Sequence, residues 1–425
     1  MKMDLVIEGR FFINGELKDT AVGVEDGKIV TVGNIVRGGD ERIELKNKII
    51  LPGFMDPHVH FREPGMTQKE DFRSGTMSAL FGGVTCVLDM PNTKPPSTDP
   101  RSLRDKKAMI RSKAYVDYGL FAALTPDCNT NLLAPMVAGF KLFMGSTTGN
   151  ILMNDDDDIY RVMCDVARTG KVTSVHAEDD SMIIRGREES NWDHLKDRPL
   201  EAEHNAIRRL SRYKGMRINI CHVTDAESLA LASSYGFTTE VTPHHLFFCA
   251  EDSRDAFTKV NPPLRNRAVR DSLYKAFMEG KATMFGTDHA PHTLIEKSQD
   301  YDSAPGGIPG VETNVPMFMA MVKQNLFPLG SLVKMGSEMP AKVFGVSKGR
   351  IAVGYDADLA VFDMRDMAPI NADRLHSKAG YSPYEGRYAV FPDTVIIRGE
   401  IQVTDGEFCG SNIGRDICGN RDRLF

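Results

Sequence analysis

The sequence predicts an α/β protein: a (β/α)8 TIM barrel flanked by a small β domain built from both chain ends. Three observations predict it. Eight apolar, β-rich runs recur between positions 49 and 292, separated by segments with helical character, the pattern of repeated βα units around a parallel sheet. The first fifty residues and those after Gly349 lack that alternation and read as short strands with Gly and Asp at the turns. The chain of 425 residues also has room for a barrel, usually of about 250 residues, plus a smaller unit. The expected division is 1–51 for the N-terminal part of the β domain, 52–345 for the barrel and 346–425 for the C-terminal part of the β domain.

In order along the chain, "FFINGEL" and "VEDGKIVTVG" predict hairpins, because Asn-Gly and Asp-Gly supply the positive φ angles that tight hairpin turns demand. The eight barrel runs are "IILPGFMDPHVHF", "GVTCVLDMPN", "YVDYGLFAAL", "VAGFKLFMG", "KVTSVHAE", "RINICHVT", "FTTEVTPHHL" and "KATMFGTDHAPH". Helices are expected between them, including Gln68 to Phe81, Asp157 to Arg168, Ala226 to Tyr235 and Arg267 to Glu279. The charge run "NDDDD", Asn154 to Asp158, suits the first turn of a helix, where the macrodipole favours anions. At the far end, "RIAVGYDADLAVFD" and "DTVIIRGEIQVTDGEF" return to strands.

Six of the eight runs finish in a residue able to hold a metal or a substrate: His58 and His60, Asn92, Lys141, His176, His222 and Asp288. In a barrel these ends converge on one face, where active sites lie. Each has a bland reading alone. A solitary His in a strand is more often a hydrogen-bonded core residue, Lys141 could protect a sheet edge, and Asp288 could cap a helix. Together they would be several independent, costly placements of polar groups at equivalent positions.

Two residues apart on a strand, His58 and His60 point to one side, as a single divalent metal requires, and the same parity carries Arg62. His176 and His222 would serve a second metal. Where strand four ends there is no carboxylate to bridge the pair, only Lys141. A protonated lysine is repelled by cations, whereas a lysine carboxylated by carbon dioxide is an anion with two oxygens. The expectation is therefore two divalent metal ions, zinc first among them, bridged by carboxylated Lys141, with Asp288 completing the first site and taking the proton of the attacking water. Such a centre suits hydrolysis of a poor electrophile such as an amide.

The motifs "GFMDPHVHFREPG", "GGVTCVLDMPNTKPP", "GFKLFMG", "VHAE", "CHV" and "GTDHAPH" resemble those of the amidohydrolase superfamily and, within it, of the dihydroorotases; "GRIAVGYDADLAVFD" extends the likeness over nearly the whole chain. The resemblance implies metal-dependent, reversible cyclisation of N-carbamoyl-L-aspartate to L-dihydroorotate plus water, a step of pyrimidine biosynthesis. It implies that Arg62 and Asn92 hold the substrate carboxylate, which agrees with the preference of a planar guanidinium for that group. It also implies that His292 assists there, that Asn261 of "KVNPPLR" lies near the ring with the glycines of "PGGIPGVET", and that Lys141 belongs to the carboxylated-lysine branch. An allantoinase or hydantoinase type of cyclic amidohydrolase is the nearest rival, and Arg62 speaks against its neutral ring. A non-catalytic scaffold is the rival from another class, and the complete ligand set speaks against that.

A formal net charge of -6 argues against a general nucleic-acid partner, so a small molecule is the expected one. No signal peptide or membrane-crossing run is evident, and seven scattered cysteines without a CxxC pair read as reduced thiols, which predicts a cytoplasmic protein. A homodimer, or association with other pyrimidine-pathway enzymes, stays open. His244 or His245 could face the site, though a structural contact is the simpler reading, and Thr147 with Thr148 form either a lid or a plain turn. His194, His204 and His376 sit among charged residues and are expected at the surface.

Overall fold

The computed structural model describes residues 3–147, 149 and 151–418. Strands β1 (Leu5–Ile13), β2 (Glu16–Glu25), β3 (Lys28–Gly33) and β4 (Glu41–Pro52) open the chain. The Asn14-Gly15 turn between β1 and β2 and the Asp26-Gly27 turn between β2 and β3 both have positive φ at each central residue, 53° and 87°, then 49° and 76°. That is the type I′ geometry the two dipeptides predict. From the other end come β13 (Leu359–Phe362), β16 (Thr394–Ile397), β17 (Glu400–Thr404) and β18 (Glu407–Phe408), while β14 (Ala368–Pro369) and β15 (Tyr388–Ala389) pair only with each other. β13 runs antiparallel to β4, so the two ends form one sheet of order β18-β17-β16-β13-β4-β1-β2-β3.

The barrel strands are β5 (Phe54–Val59), β6 (Val84–Asp89), β7 (Asp117–Ala123), β8 (Gly139–Phe143), β9 (Val172–His176), β10 (Ile218–Ile220), β11 (Thr238–Val241) and β12 (Met284–Phe285), one from each predicted run. All neighbours pair in parallel. A parallel bridge between Val59 and His289 closes the ring, with the His60 amide donating to the His289 carbonyl at 2.8 Å.

The first run differs from expectation, being two strands in two sheets. The Gly53 amide donates to the Asp358 carbonyl in the end sheet at 2.8 Å, and the next amide, Phe54, donates to Gly83 in the barrel at 3.1 Å. A side chain at the crossing would not fit, because a Cβ on Gly53 would sit 2.3 Å from Thr85 Oγ1. Arg62 also lies beyond its strand. The Phe61 amide is taken by the Asp89 carboxylate at 2.8 Å, which ends the ladder, and Arg62 follows at φ 61°.

The first helix, Phe72–Phe81, begins four residues later than its periodicity predicts. Asp71 accepts from the Ser74 amide and the Ser74 hydroxyl faces the Asp71 amide, a reciprocal cap that stops the helix there and leaves Lys69 and Glu70 outside it. Asp155 caps Asp156–Thr169, with Asp156, Asp157 and Asp158 in its first turn as the charge run predicts. Asp225 and Asn266 cap Ala226–Ser234 and Arg267–Met278.

Phe277, Phe285, Phe318 and Phe327 stack outside the later strands, with ring centroids 5.2 to 5.6 Å apart. Each such ring removed from water is worth roughly 1.5–3 kcal/mol. Lys348 joins the end sheet to the barrel floor: its buried ammonium lies 2.7, 2.9 and 2.6 Å from carboxylate oxygens of Asp117, Asp356 and Asp358. Cys86, Cys128, Cys164, Cys221, Cys249, Cys409 and Cys418 are all free thiols. No helix among the described residues is long and apolar enough to cross a membrane.

Candidate metal centre and active site

His58, at the end of β5, and His60, just past it, turn toward Asp288 beyond β12. His58 Nε2 lies 3.3 Å and His60 Nε2 2.9 Å from the same oxygen, Asp288 Oδ1. Their other ring nitrogens are occupied: His58 Nδ1 donates to Glu240 Oε1 at 2.7 Å, and His60 Nδ1 donates to Asn92 Oδ1 at 2.7 Å. An acceptor on Nδ1 fixes the proton there and leaves the Nε2 lone pair for a cation. Both imidazoles therefore aim lone pairs at one carboxylate oxygen, a three-ligand set of the composition zinc favours.

His176 and His222 stand beside this group. His176 Nε2 donates to Glu178 Oε2 at 2.7 Å, so Nδ1, 3.0 Å from His222 Nε2, carries the lone pair. The Glu178 carboxylate is in turn held by Arg198, whose Nε is 3.1 Å away. His222 Nδ1 is buried without a partner, and its ring centroid is 5.4 Å from that of His58. Lys141 is in the middle of β8, not at its end. Its Nζ contacts Cys221 Sγ at 3.0 Å and lies 5.4 Å from the Phe143 ring centre. Among the described residues no carboxylate pairs with this buried ammonium, which has three imidazoles for company. The donor set fits a pair of cations far better once that amine carries negative charge.

Charge states follow from burial and these neighbours. Burial and the nearby Lys141 pull His58 down, but the Glu240 and Asp288 carboxylates outweigh them and raise it to about 10, so its Nε2 holds a proton against Asp288 that a bound cation would replace, freeing the lone pair. Burial lowers His60 to about 4 despite Asp288, and burial with His176 and Lys141 beside it takes His222 well below its usual value. Burial opposes ionisation of Asp288, yet His58 and His60 hold it well below the usual carboxylate range, so it is an anion.

Arg62 and His292 adjoin the cluster. Arg62 Nε donates to the Pro291 carbonyl at 3.2 Å, and Nη2 lies 3.1 Å from His292 Nε2. The guanidinium is 2% exposed, and among the described residues no carboxylate lies within ion-pair distance of it. Burial lowers it to about 10, still charged at neutral pH.

A model of the amidohydrolase family matches residues 49–401. The chain belongs to the amidohydrolase family. It is 37% identical over 423 residues to a dihydroorotase of Methanosarcina acetivorans, covering 92% of this chain and 90% of the relative. It is 36% identical over 426 residues to a dihydroorotase of Pyrococcus abyssi, covering 98% of both. Among solved structures, L-hydantoinase (dihydropyrimidinase) from Arthrobacter aurescens superposes with a TM-score of 0.91 at 26% identity, over 98% of this chain and 99% of that one. The enzyme is accordingly a hydrolase acting on cyclic amide bonds.

In this amidohydrolase the structure brings His58, His60, Lys141, His176, His222 and Asp288 into one buried group with Arg62, Asn92 and His292 at its side. Asn92 has a task the sequence did not suggest, orienting His60. Asn261 is reached through His194, whose Nε2 lies 2.8 Å from Asn261 Oδ1 and whose Nδ1 is 2.7 Å from Glu188 Oε1. The surface expectation for His194 and His204 is corrected: both are buried, His204 against Asp225, because their partners come from distant segments. His376 is half-buried and pairs with Glu312 at 2.8 Å. His245 is a structural contact, bonded to Thr242 and the Pro262 carbonyl, whereas both nitrogens of buried His244 lack partners. Thr147 is half-buried, and Thr148 lies outside the described residues.

Sequence reasoning missed Glu240, Glu178 and Lys69. Glu178 stood inside the quoted "VHAE", and Glu240 was a lone carboxylate in the apolar strand "TTEV", a costly placement that should have marked it.

Proposed function

We propose that the enzyme is a dihydroorotase, interconverting L-dihydroorotate and N-carbamoyl-L-aspartate in pyrimidine biosynthesis in the cytoplasm. The observation that carries the reading is Arg62: a buried guanidinium beside the histidine cluster with no carboxylate among the described residues to pair with. A charge so placed is costly unless a ligand neutralises it, and dihydroorotate brings a carboxylate next to the ring amide. The likeness to hydantoinases supports a second reading, a neutral cyclic amide, for which that desolvated arginine would have no use.

His58, His60 and Asp288 would hold one divalent cation, His176 and His222 a second, and Lys141 in carboxylated form would bridge them, with zinc the expected metal. Bound cations supply a polarised ring carbonyl and a water made acidic enough to attack near neutral pH. The residues do the rest. Glu240, Asn92 and Glu178 keep the imidazole lone pairs pointed inward. Arg62 pairs with the substrate carboxylate and so sets the ring against the cluster. Asp288, held as an anion, takes the proton of the attacking water and returns it to the amide nitrogen as the C–N bond breaks. In the synthetic direction the same carboxylate deprotonates the carbamoyl nitrogen, and water leaves.

The test is hydrolysis of L-dihydroorotate beside allantoin and dihydrouracil by one preparation supplied with zinc and bicarbonate, repeated with Arg62→Met. Turnover of dihydroorotate alone, with its KM raised at least about tenfold in the variant, is the expected result. Cleavage of a neutral ring alone would overturn the substrate assignment and leave the metal assignment standing.

A further inference from the structure

Lys69 is the residue that the late start of the first helix leaves outside it. Its buried ammonium lies 3.0 Å from His292 Nδ1 and 2.7 Å from Glu296 Oε1. Glu296 is itself fixed, accepting from the Thr293 amide and hydroxyl at 3.0 Å in the cap of the short helix Leu294–Lys297. On the far side of the imidazole, His292 Nε2 is 3.1 Å from the Gly306 carbonyl and 3.1 Å from Arg62 Nη2.

The three contacts of the His292 ring cannot all be bonds. Burial, with Arg62, Lys69 and Lys297 nearby, holds His292 far below its usual pKa, so the ring is neutral and has one donor and one acceptor. An ammonium only donates, so Nδ1 must be the acceptor and Nε2 must carry the proton. Nε2–H then donates to Gly306. That carbonyl is well placed, because Lys297 Nζ grips its neighbours, the Pro305 and Gly307 carbonyls, each at 3.0 Å. Arg62 Nη2 faces an N–H and gains nothing from it. Among the described residues its guanidinium is left with one acceptor, the Pro291 carbonyl.

We propose that Lys69 is a positioning residue that fixes His292 as its Nε2–H tautomer, so that Arg62 and His292 offer adjacent donors to the substrate carboxylate instead of satisfying each other. With the opposite tautomer, Nε2 would accept from Arg62 and turn a lone pair toward the incoming anion. The inference rests on the reading of the substrate as an anion.

Two measurements on the full-length enzyme test it. In protein labelled with 15N in the histidine rings, the His292 signals, assigned by their loss in His292→Asn, are expected to show a protonated Nε2 in the wild type. The proton is expected to move to Nδ1 in Lys69→Met and to return in Lys69→Arg. In parallel, the KM for L-dihydroorotate is expected to rise about 10- to 100-fold in Lys69→Met with kcat largely retained, and to recover in Lys69→Arg. A wild-type His292 protonated on Nδ1 overturns the proposal even if Lys69→Met fails to fold. So does an unchanged tautomer or KM in Lys69→Met when Arg62→Met does raise KM. An unchanged KM in Arg62→Met would instead remove the anionic-substrate reading, and this inference with it.

Discussion

Replacing Glu240 by Gln keeps an acceptor of the same shape beside His58 Nδ1 and removes only its charge. The contact is 2.7 Å between two side chains that are each 1% exposed, so water cannot screen it or substitute for it. A carboxylate there raises the basicity of His58 Nε2 and fixes the tautomer, and loss of such an orienting partner typically costs about 10- to 100-fold in metal affinity. That corresponds to about 1.4–2.8 kcal/mol. Zinc affinity measured by competition with a chelator of known strength is expected to fall by this factor in Glu240→Gln. Gly286→Ala supplies an independent perturbation, because its Cβ would lie 2.8 Å from Glu240 Cδ and must displace the carboxylate. Its affinity should fall in the same direction. Wild-type affinity in both variants would refute the reasoning and make Glu240 a structural contact only.

Lys141→Ala is expected to bind less zinc per chain than the wild type and to lose turnover with it; full metal content by elemental analysis with normal turnover would reject the bridging role. Lys348→Met takes from buried Asp358 its cationic partner, while Asp117 keeps Arg398 and Asp356 keeps Lys28, and should cost about 3–5 kcal/mol of stability, read by thermal or urea unfolding; a loss below about 1 kcal/mol would class the cluster with surface pairs. Lys297 is buried and donates to the Lys259, Pro305 and Gly307 carbonyls, and burial takes it from 10.5 down to about 7. Between those values the unfolded chain binds a proton that the folded chain does not, so stability should climb as pH rises through that window. Urea midpoints at its two ends should differ in the wild type and converge in Lys297→Met.

The barrel was legible because each strand and helix announces itself locally, by an apolar run or a 3.6-residue stripe. Convergence of the strands' C-terminal ends on one face, and with it the gathering of His58, His60 and His176, then follows from topology, since parallel strands bring equivalent ends together. Features that depend on contacts between distant segments were not legible. The change of sheet at Gly53 is set by Thr85, thirty-two positions on, and nothing in "IILPGFMDPHVHF" betrays it. His194 looked solvated amid "NWDHLKD", yet it is buried by Asn261 and the Val260 carbonyl. Lys69 read as part of a helix because "QKEDF" is a good helix sequence, while the Asp71 cap decides otherwise.

Strand parity alone would have put His222 on the wrong face. In the β9–β10 register Ile220 stands opposite Val175, so a regular pleat sets Cys221 beside His176, both facing inward, and turns residue 222 outward. Cys221 does face inward, onto Lys141. His222 comes back to within 3.0 Å of His176 because its backbone leaves the pleat at φ 38°. Arg62 and Asp288 share this feature, at 61° and 47°. Positive φ at non-glycine residues costs on the order of 1–3 kcal/mol each and persists only where neighbouring bonds enforce it. Here they do: the Cys221 amide is held by the Val175 carbonyl at 3.0 Å and the Val223 amide by the Glu240 carbonyl at 2.8 Å. Phe61 is pinned by Asp89, and Thr287 by Asp56 at 3.1 Å. Backbone pairing on both sides of His222, and a buried carboxylate gripping the amide just before Arg62 and just before Asp288, thus store the strain at three functional residues, and the fold uses it to bring a fourth imidazole, a guanidinium and a carboxylate to one point that no regular strand could reach.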